Sequence, residues 1–273
     1  MNNVLLSLFA GITQGLTEFL PISSSGHLVI FHDFLKFDFI DDLAFDVVLH
    51  LGTLVALIVF FFADILKYLI AFFESLVAWN LKNNLNQRLA WYLFIATLPA
   101  AIVGYFLEDR IEMVFRSPFL VALMLIIFGV ILYLADKFFF KLKTINELSL
   151  ANSLTIGLFQ AIALIPGVSR SGITIIAGLS QKLKRKDAAR FSFLLAVPII
   201  FGAGLKKTID LISGSAISSA DFLALILGFL SSAVTGYFCI KYFLKFLENH
   251  SLKIFAWYRI VLGLLIIFVI LFF

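Results

Sequence analysis

The sequence is poor in charge. Of its 273 residues, only 14% are charged and 62% are hydrophobic, against about 25% and about 45–50% in a soluble globular protein. A surface this short of charge does not stay in water, and lipid is the expected solvent. Cysteine is also scarce: the single Cys239 sits inside an apolar run and excludes an intramolecular disulfide. No Lys or Arg precedes Lys36, so the apolar N-terminus lacks the basic start of a secretory signal and is expected to stay. No low-complexity tract or long linker interrupts the chain, which reads as one membrane domain.

What is present is apolar and long. Phe alone occurs 33 times. A spanning helix needs about 20 apolar residues, and six stretches qualify: Leu43–Phe62, Leu89–Leu107, Pro118–Ala135, Ala188–Leu205, Phe222–Ile240 and Ile254–Phe273. Small and polar residues within them, among them Thr97, Gly104, Gly228, Ser231 and Ser232, suit close helix packing in lipid.

Two other regions are interrupted. Val4–Leu20 meets Pro21-Ile22-Ser23-Ser24-Ser25-Gly26-His27 and resumes as Leu28–Leu35. Leu150–Ile165 meets Pro166-Gly167-Val168-Ser169-Arg170-Ser171-Gly172 and resumes as Ile173–Leu179. Each second arm is too short to span, and proline ends each first arm. Both regions therefore read as re-entrant helical hairpins, whose non-helical backbone belongs inside protein or beside a water-filled cavity.

The halves, about 1–145 and 146–273, repeat one another. Gly11, Gln14, Pro21 and the Ser-rich turn match Gly157, Gln160, Pro166 and the second turn. Phe45 matches Phe191, and Ala101-x-x-Gly104-Tyr105-Phe106 matches Ala233-x-x-Gly236-Tyr237-Phe238. Three spans per half invert the second half relative to the first. The predicted fold is an all-α polytopic membrane protein with an inverted-topology repeat, six spans and two hairpins facing each other near the midplane. Assigning loops to sides places about 14 basic residues on one side and about 5 on the other, which makes the richer side cytoplasmic and puts both termini outside.

Ionisable residues at membrane depth are costly and mark function by default. Here they are Glu18, His27, Asp46, His50, Arg170 and Arg259. Arg170, set among serines and glycines where a helix begins, suits a phosphate, which its planar fork and the free N–H groups can both grip. The first turn offers the same kind of helix start at Ser24, Ser25 and Gly26. Ser23, Ser24 and Ser25 supply hydroxyls; one can attack phosphorus with His27 or Glu18 taking the proton, or all three can simply cap the second arm. His27 is three residues past Ser24 and can share its face, or can be a core imidazole. Gln14 and Glu18 share a helix face and can hold a hard cation such as Mg²⁺ or Ca²⁺; alternatively Glu18 pairs directly with Arg170. Asp46 and His50 share a face of the first span and either support the site from behind its ligands or solvate a polar interior, the second being the preferred reading.

The run from Gln14 to His27 resembles the first signature of the BacA-type undecaprenyl-diphosphate phosphatases, and Pro166–Thr174 resembles the second; Phe191–Pro198 is also similar to the family. The resemblance covers nearly the whole chain. It implies hydrolysis of undecaprenyl diphosphate to undecaprenyl phosphate and phosphate, which recycles the lipid carrier of cell-wall synthesis and gives bacitracin resistance. It implies a divalent cation, Mg²⁺ or Ca²⁺, and a bacterial cytoplasmic-membrane location with the site open to the external face. By position, Ser24 matches the nucleophile, His27 the catalytic histidine and Glu18 with Gln14 the acidic pair. Arg170 matches the phosphate-binding arginine, helped by Ser169, Ser171, Thr174, Ser23, Ser25 and Gly26. Many members carry Glu where this chain has Gln14, so a weaker cation site is expected. His27-activated water is the alternative chemistry. An anion carrier or polyprenyl-phosphate flippase is the rival class, since inverted repeats with re-entrant hairpins suit transport. No nucleic-acid partner is expected, and a homodimer is compatible with the sequence.

Overall fold

The computed structural model describes residues 3–35, 42–115, 117–214 and 219–272. Eleven α-helices make up the described fold. The first half holds α1 (Asn3–Thr17), α2 (Ser24–Leu35), α3 (Asp42–Phe60), α4 (Phe62–Val77), α5 (Leu85–Phe115) and α6 (Pro118–Phe138). The second holds α7 (Leu150–Ile162), α8 (Arg170–Ser180), α9 (Arg185–Gly214), α10 (Ser219–Asn249) and α11 (Lys253–Phe272), after a short 3-10 turn at Ile145–Glu147. Among the described residues, α5, α6, α9, α10 and α11 each contain a stretch long and apolar enough to cross a membrane. Their outward faces carry large apolar side chains such as Phe106, Ile131, Phe238 and Phe268. The chain is an all-α multi-pass membrane protein.

Five of the six expected spans lie within these helices, which run on past the apolar windows. The α10 helix, for example, continues through Lys241 and Lys245 to Asn249. Hydropathy marks where lipid contact ends, whereas the hydrogen-bonded ladder continues into the polar zone. The sixth expected span, Leu43–Phe62, is α3 apart from its last two residues, and it leads into a bend. Helix α3 ends at Phe60, the chain turns 81° at Phe61, and α4 follows. A continuous-window reading misses α4 because Asp64, Lys67 and Glu74 interrupt its apolar residues. Its inner face (Tyr68, Ala71, Ser75) is buried, and Ser75 Oγ accepts the Trp91 indole N–H of α5 at 2.9 Å. Both second arms also open earlier than expected, at Ser24 and Arg170 rather than Leu28 and Ile173. Lys36, Arg116 and Phe273 lie outside the described residues.

The repeat is visible in the packing. Helix α1 packs on α10, and its counterpart α7 packs on α5, the counterpart of α10. Glycines allow both approaches: a Cβ on Gly11 would stand 2.3 Å from the Gly228 carbonyl, and one on Gly157 would stand 2.2 Å from the Ala96 carbonyl. Backbone contact of this kind is how helices associate in lipid, where no hydrophobic force drives them together. Replacing Gly157 with Val is expected to force α7 off α5 and to lower the unfolding temperature in detergent by about 5 °C or more; an unchanged melting curve would contradict this packing role.

The basic loops gather at one end of the bundle. Leu142 and Lys143 donate N–H groups to Lys182 O at 2.9 and 2.8 Å. Buried Asp136 accepts from Arg185 Nε at 2.5 Å and from the Leu252 N–H at 3.0 Å. Arg190 of α9 reaches Asp64 of α4 at 2.5 Å, and Lys186 reaches Glu248 at 2.6 Å. At this end Glu147 accepts the backbone N–H and the hydroxyl of Thr144, which hold its carboxyl below the usual carboxylate pKa. These segments are those that the charge pattern had assigned to one side.

Candidate active site

The two interrupted regions fold into turns of one shape. Ser23 and Ser169 both have φ +73°, uncommon for residues other than glycine. Each caps the helix that follows: Gly26 N donates to Ser23 Oγ at 3.3 Å, and Gly172 N donates to Ser169 Oγ at 3.1 Å. In each turn this serine also meets the hydroxyl two residues on, Ser25 at 3.3 Å and Ser171 at 3.2 Å. Strained backbone of this sort persists only where its surroundings enforce it, and it clusters at functional sites. The shared geometry sets the register of the repeat: Ser23 pairs with Ser169, and Ser24 therefore occupies the place of Arg170.

The turns meet. Ser171 Oγ donates to Leu20 O at 3.0 Å. A single side chain from α11, Arg259, is fully buried between them. It donates to Pro21 O of the first turn at 3.2 Å and to Gly167 O and Val168 O of the second, both at 2.8 Å. Sequence reasoning left Arg259 without a role. Its only signal was the cost of a charge inside the last span.

Glu18 is the centre of the polar cluster. It follows the end of α1, is 6% exposed, and pairs directly with Arg170 through Oε1 and Nη2. Its other oxygen accepts the Ser24 hydroxyl at 2.6 Å and the Gln14 amide at 2.9 Å, and lies 3.5 Å from His50 Nε2. The direct pair with Arg170, one of the two sequence readings of Glu18, is formed. Beside it lies a cavity of about 290 Å³, bordered by Glu18, Ser24, Ser25, Ser169 and Arg170 from the turns and by Asp46 and His50 from α3. Ile199, Ile200 and Ala203 of α9 form its apolar side, just beyond the in-helix Pro198. A small cavity with an apolar wall and a few convergent polar groups is a usual ligand site.

The expected residues are thus divided. Glu18, Ser24, Ser25, Ser169 and Arg170 border the cavity. Gln14 stands behind Glu18, fully buried. Ser23, Gly26, Ser171 and Thr174 are buried in the turns and hold them; Thr174 Oγ1 donates to Arg170 O at 2.7 Å and meets Ser192 Oγ at 2.6 Å. The expected Ser24–His27 pair is not formed. His27 turns toward α11, with Nδ1 on Ser23 O at 2.7 Å and Nε2 on the Tyr258 hydroxyl at 2.8 Å. Helical spacing allowed a shared face, but the bond to the i−4 carbonyl turns the ring away. His50, read from sequence as solvating a polar interior, is the imidazole that faces the cavity.

Among the described residues, no group of three or more His, Cys, Asp or Glu side chains could hold a metal ion by itself. Gln14 Oε1, however, is buried without a hydrogen-bond partner, an oxygen donor of the kind that Mg²⁺ and Ca²⁺ take. One carboxylate supplemented by phosphate oxygens is a common Mg²⁺ arrangement. The donor set fits a cation that arrives with a phosphorylated ligand.

Comparison with known proteins decides the family, since residues 7–265 match Bacitracin resistance protein BacA. The chain belongs to the BacA family. An undecaprenyl-diphosphatase of Pelotomaculum thermopropionicum is 46% identical over 264 residues, covering 97% of this chain and 96% of its own. Those of Desulforudis audaxviator and Rubrobacter xylanophilus are each 44% identical, covering 94% and 97% of this chain and 94% and 98% of their own. The BacA match spans both turns, all the residues around the cavity and Arg259.

Proposed function

We propose that the protein hydrolyses undecaprenyl diphosphate to undecaprenyl phosphate and inorganic phosphate at the Glu18–Ser24–Arg170 cavity. The observation that carries this reading is the Ser24 hydroxyl, already donating to a buried carboxylate at 2.6 Å and adjoining an arginine that can take phosphate. The relatives' shared name points to the same substrate. The prenyl tail stays in lipid while the diphosphate enters the cavity.

Arg170 leaves Glu18 for the phosphate oxygens, joined by the free N–H groups that open α2 and α8. Ser24 Oγ forms a bond to the terminal phosphorus as the bridging P–O bond breaks and undecaprenyl phosphate departs. The Ser24 proton passes to Glu18 Oε2, its existing hydrogen-bond acceptor. Water then gives its hydroxyl to phosphorus and its other proton to the product phosphate. Ser24 Oγ leaves and takes its proton back from Glu18. Positioning and charge stabilisation dominate such a transfer. Glu18 and Gln14 would hold a Mg²⁺ or Ca²⁺ ion, which supplies charge neutralisation on the transferred group.

Bacterial cytoplasmic-membrane residence, a site opening to the external face, carrier recycling and bacitracin resistance complete the proposal. The crowding of basic loops at one end of the bundle supports a cytoplasmic reading of that end. Purified protein in detergent with Mg²⁺ or Ca²⁺ is expected to release one phosphate per undecaprenyl diphosphate. Ser24→Ala should lower the rate by about 10³-fold or more, and acid quenching of wild type should trap phosphoserine at Ser24. Full activity in Ser24→Ala would remove the nucleophile role. The inverted repeat favours a second reading, a carrier of prenyl phosphates; movement of undecaprenyl phosphate across vesicles without hydrolysis would support it instead.

A further inference from the structure

The imidazole of His27 is held at both nitrogens. Nδ1 lies 2.7 Å from Ser23 O, which can only accept, so Nδ1 carries the proton. In the neutral ring Nε2 then has a lone pair, and the Tyr258 hydroxyl donates to it at 2.8 Å. The two rings stack with planes 5° apart and centroids 5.7 Å apart. His27 does not border the cavity, and nothing in this arrangement leaves a ring nitrogen for the proton of Ser24.

The bond falls on a telling residue. Ser23 is the strained cap at φ +73° that immediately precedes Ser24. Its carbonyl receives two donors from His27, the backbone N–H at 3.2 Å and Nδ1 at 2.7 Å. In the second turn Ser169 has the same φ, but Ile173 stands where His27 would be and supplies only its backbone N–H, at 2.9 Å. The extra brace is therefore confined to the turn that carries the nucleophile. It is anchored across the fold to α11, one residue before the Arg259 clamp.

We propose that His27 and Tyr258 form a strut that fixes Ser23 and so aims the Ser24 hydroxyl at the cavity. Tyr258 is then a positioning residue of the reaction, and His27 acts through geometry without transferring a proton. This rests on the phosphatase reading, so wild-type phosphate release from undecaprenyl diphosphate is measured first; its absence would sink that reading and leave the strut to be decided by spectroscopy. In the kinetic arm, His27→Ala should lower kcat about 30-fold or more with KM little changed. His27→Asn, whose amide N–H can replace Nδ1–H on Ser23 O, should return kcat to within about 5-fold of wild type. Tyr258→Phe should lower kcat about 5-fold alone and have no further effect on His27→Ala. A His27→Asn enzyme as inactive as His27→Ala, or Tyr258→Phe with undiminished kcat, would overturn the proposal. In the spectroscopic arm, ¹⁵N-histidine spectra of wild type in detergent should show the His27 ring as the Nδ1–H tautomer, with the Nε2 resonance moving toward that of a non-hydrogen-bonded nitrogen in Tyr258→Phe. An Nε2–H tautomer in wild type would overturn the strut whatever the kinetics.

Discussion

Phosphate release by Arg170→Ala is expected to fall about 10³-fold or more below wild type, an effect of about 4 kcal/mol on kcat/KM. Two losses combine. The anion loses its forked donor, and removal of one such oxyanion donor commonly costs about 10²–10³ in rate. Glu18, 6% exposed, also loses its pair, and a buried charge left without its partner costs about 3–5 kcal/mol of stability. The two can be separated. Adding Glu18→Gln to Arg170→Ala removes the stranded charge, so the unfolding temperature in detergent should recover while activity stays lost. Arg170→Lys should recover little activity, because an ammonium is a point charge without the planar fork. An Arg170→Ala enzyme with more than a tenth of wild-type kcat/KM would refute the anchor role.

Arg259→Met should be the most damaging substitution away from the cavity. Arg259 satisfies three carbonyls in the two turns, and each unsatisfied buried acceptor costs about 1–3 kcal/mol. Water cannot replace the donor at that depth. The change also relieves the desolvation of a buried guanidinium, but three stranded carbonyls outweigh that relief because the charge is spread over good acceptors in the wild type. The same bonds set the spacing of Ser24 and Arg170, each three residues past a clamped carbonyl. Activity is therefore expected to fall about 10²-fold along with a loss of several kcal/mol in stability. Arg259→Lys can bond one turn at a time; it should fold better than the Met variant yet remain well below wild-type activity. Thermal unfolding and phosphate release measured on the same preparations check this, and Arg259→Met with both unchanged would remove the clamp.

What could be read from the sequence is what depends on short-range chemistry. Pro21 and Pro166 mark the two interruptions, although α1 and α7 already end at Thr17 and Ile162, and serines cap the second arms. Each announces itself through its neighbours. The repeat sets the two turns facing each other, but their contact was not legible; it rests on Ser171 reaching Leu20 O and on Arg259 bonding carbonyls of both turns. Three other features were not legible. Helix α4 was hidden by its mixed faces, which look like a loop once a lipid-spanning window is required. Arg259 meets Pro21 and Gly167 only after α11 packs between the turns, so no local pattern reveals it. The direction of His27 was decided by competition between a backbone carbonyl with a distant phenol on one side and a nearby hydroxyl on the other. Glu18 was a milder case: spacing allowed either a cation or Arg170, and the approach of the second turn brings the arginine.

The matched φ of Ser23 and Ser169 has a consequence for how such a site can arise. Two identical half-length chains related by a dyad would carry the same side chain at both turns, two serines or two arginines. A nucleophile facing a cation would then be unavailable. Covalent joining of the halves lifts that constraint while the backbone keeps its repeated shape. The equivalence of the turns supplies the geometry, and the inequality of Ser24 and Arg170 supplies the chemistry. Separate expression of the two halves should therefore regenerate the cavity only as a heterodimer.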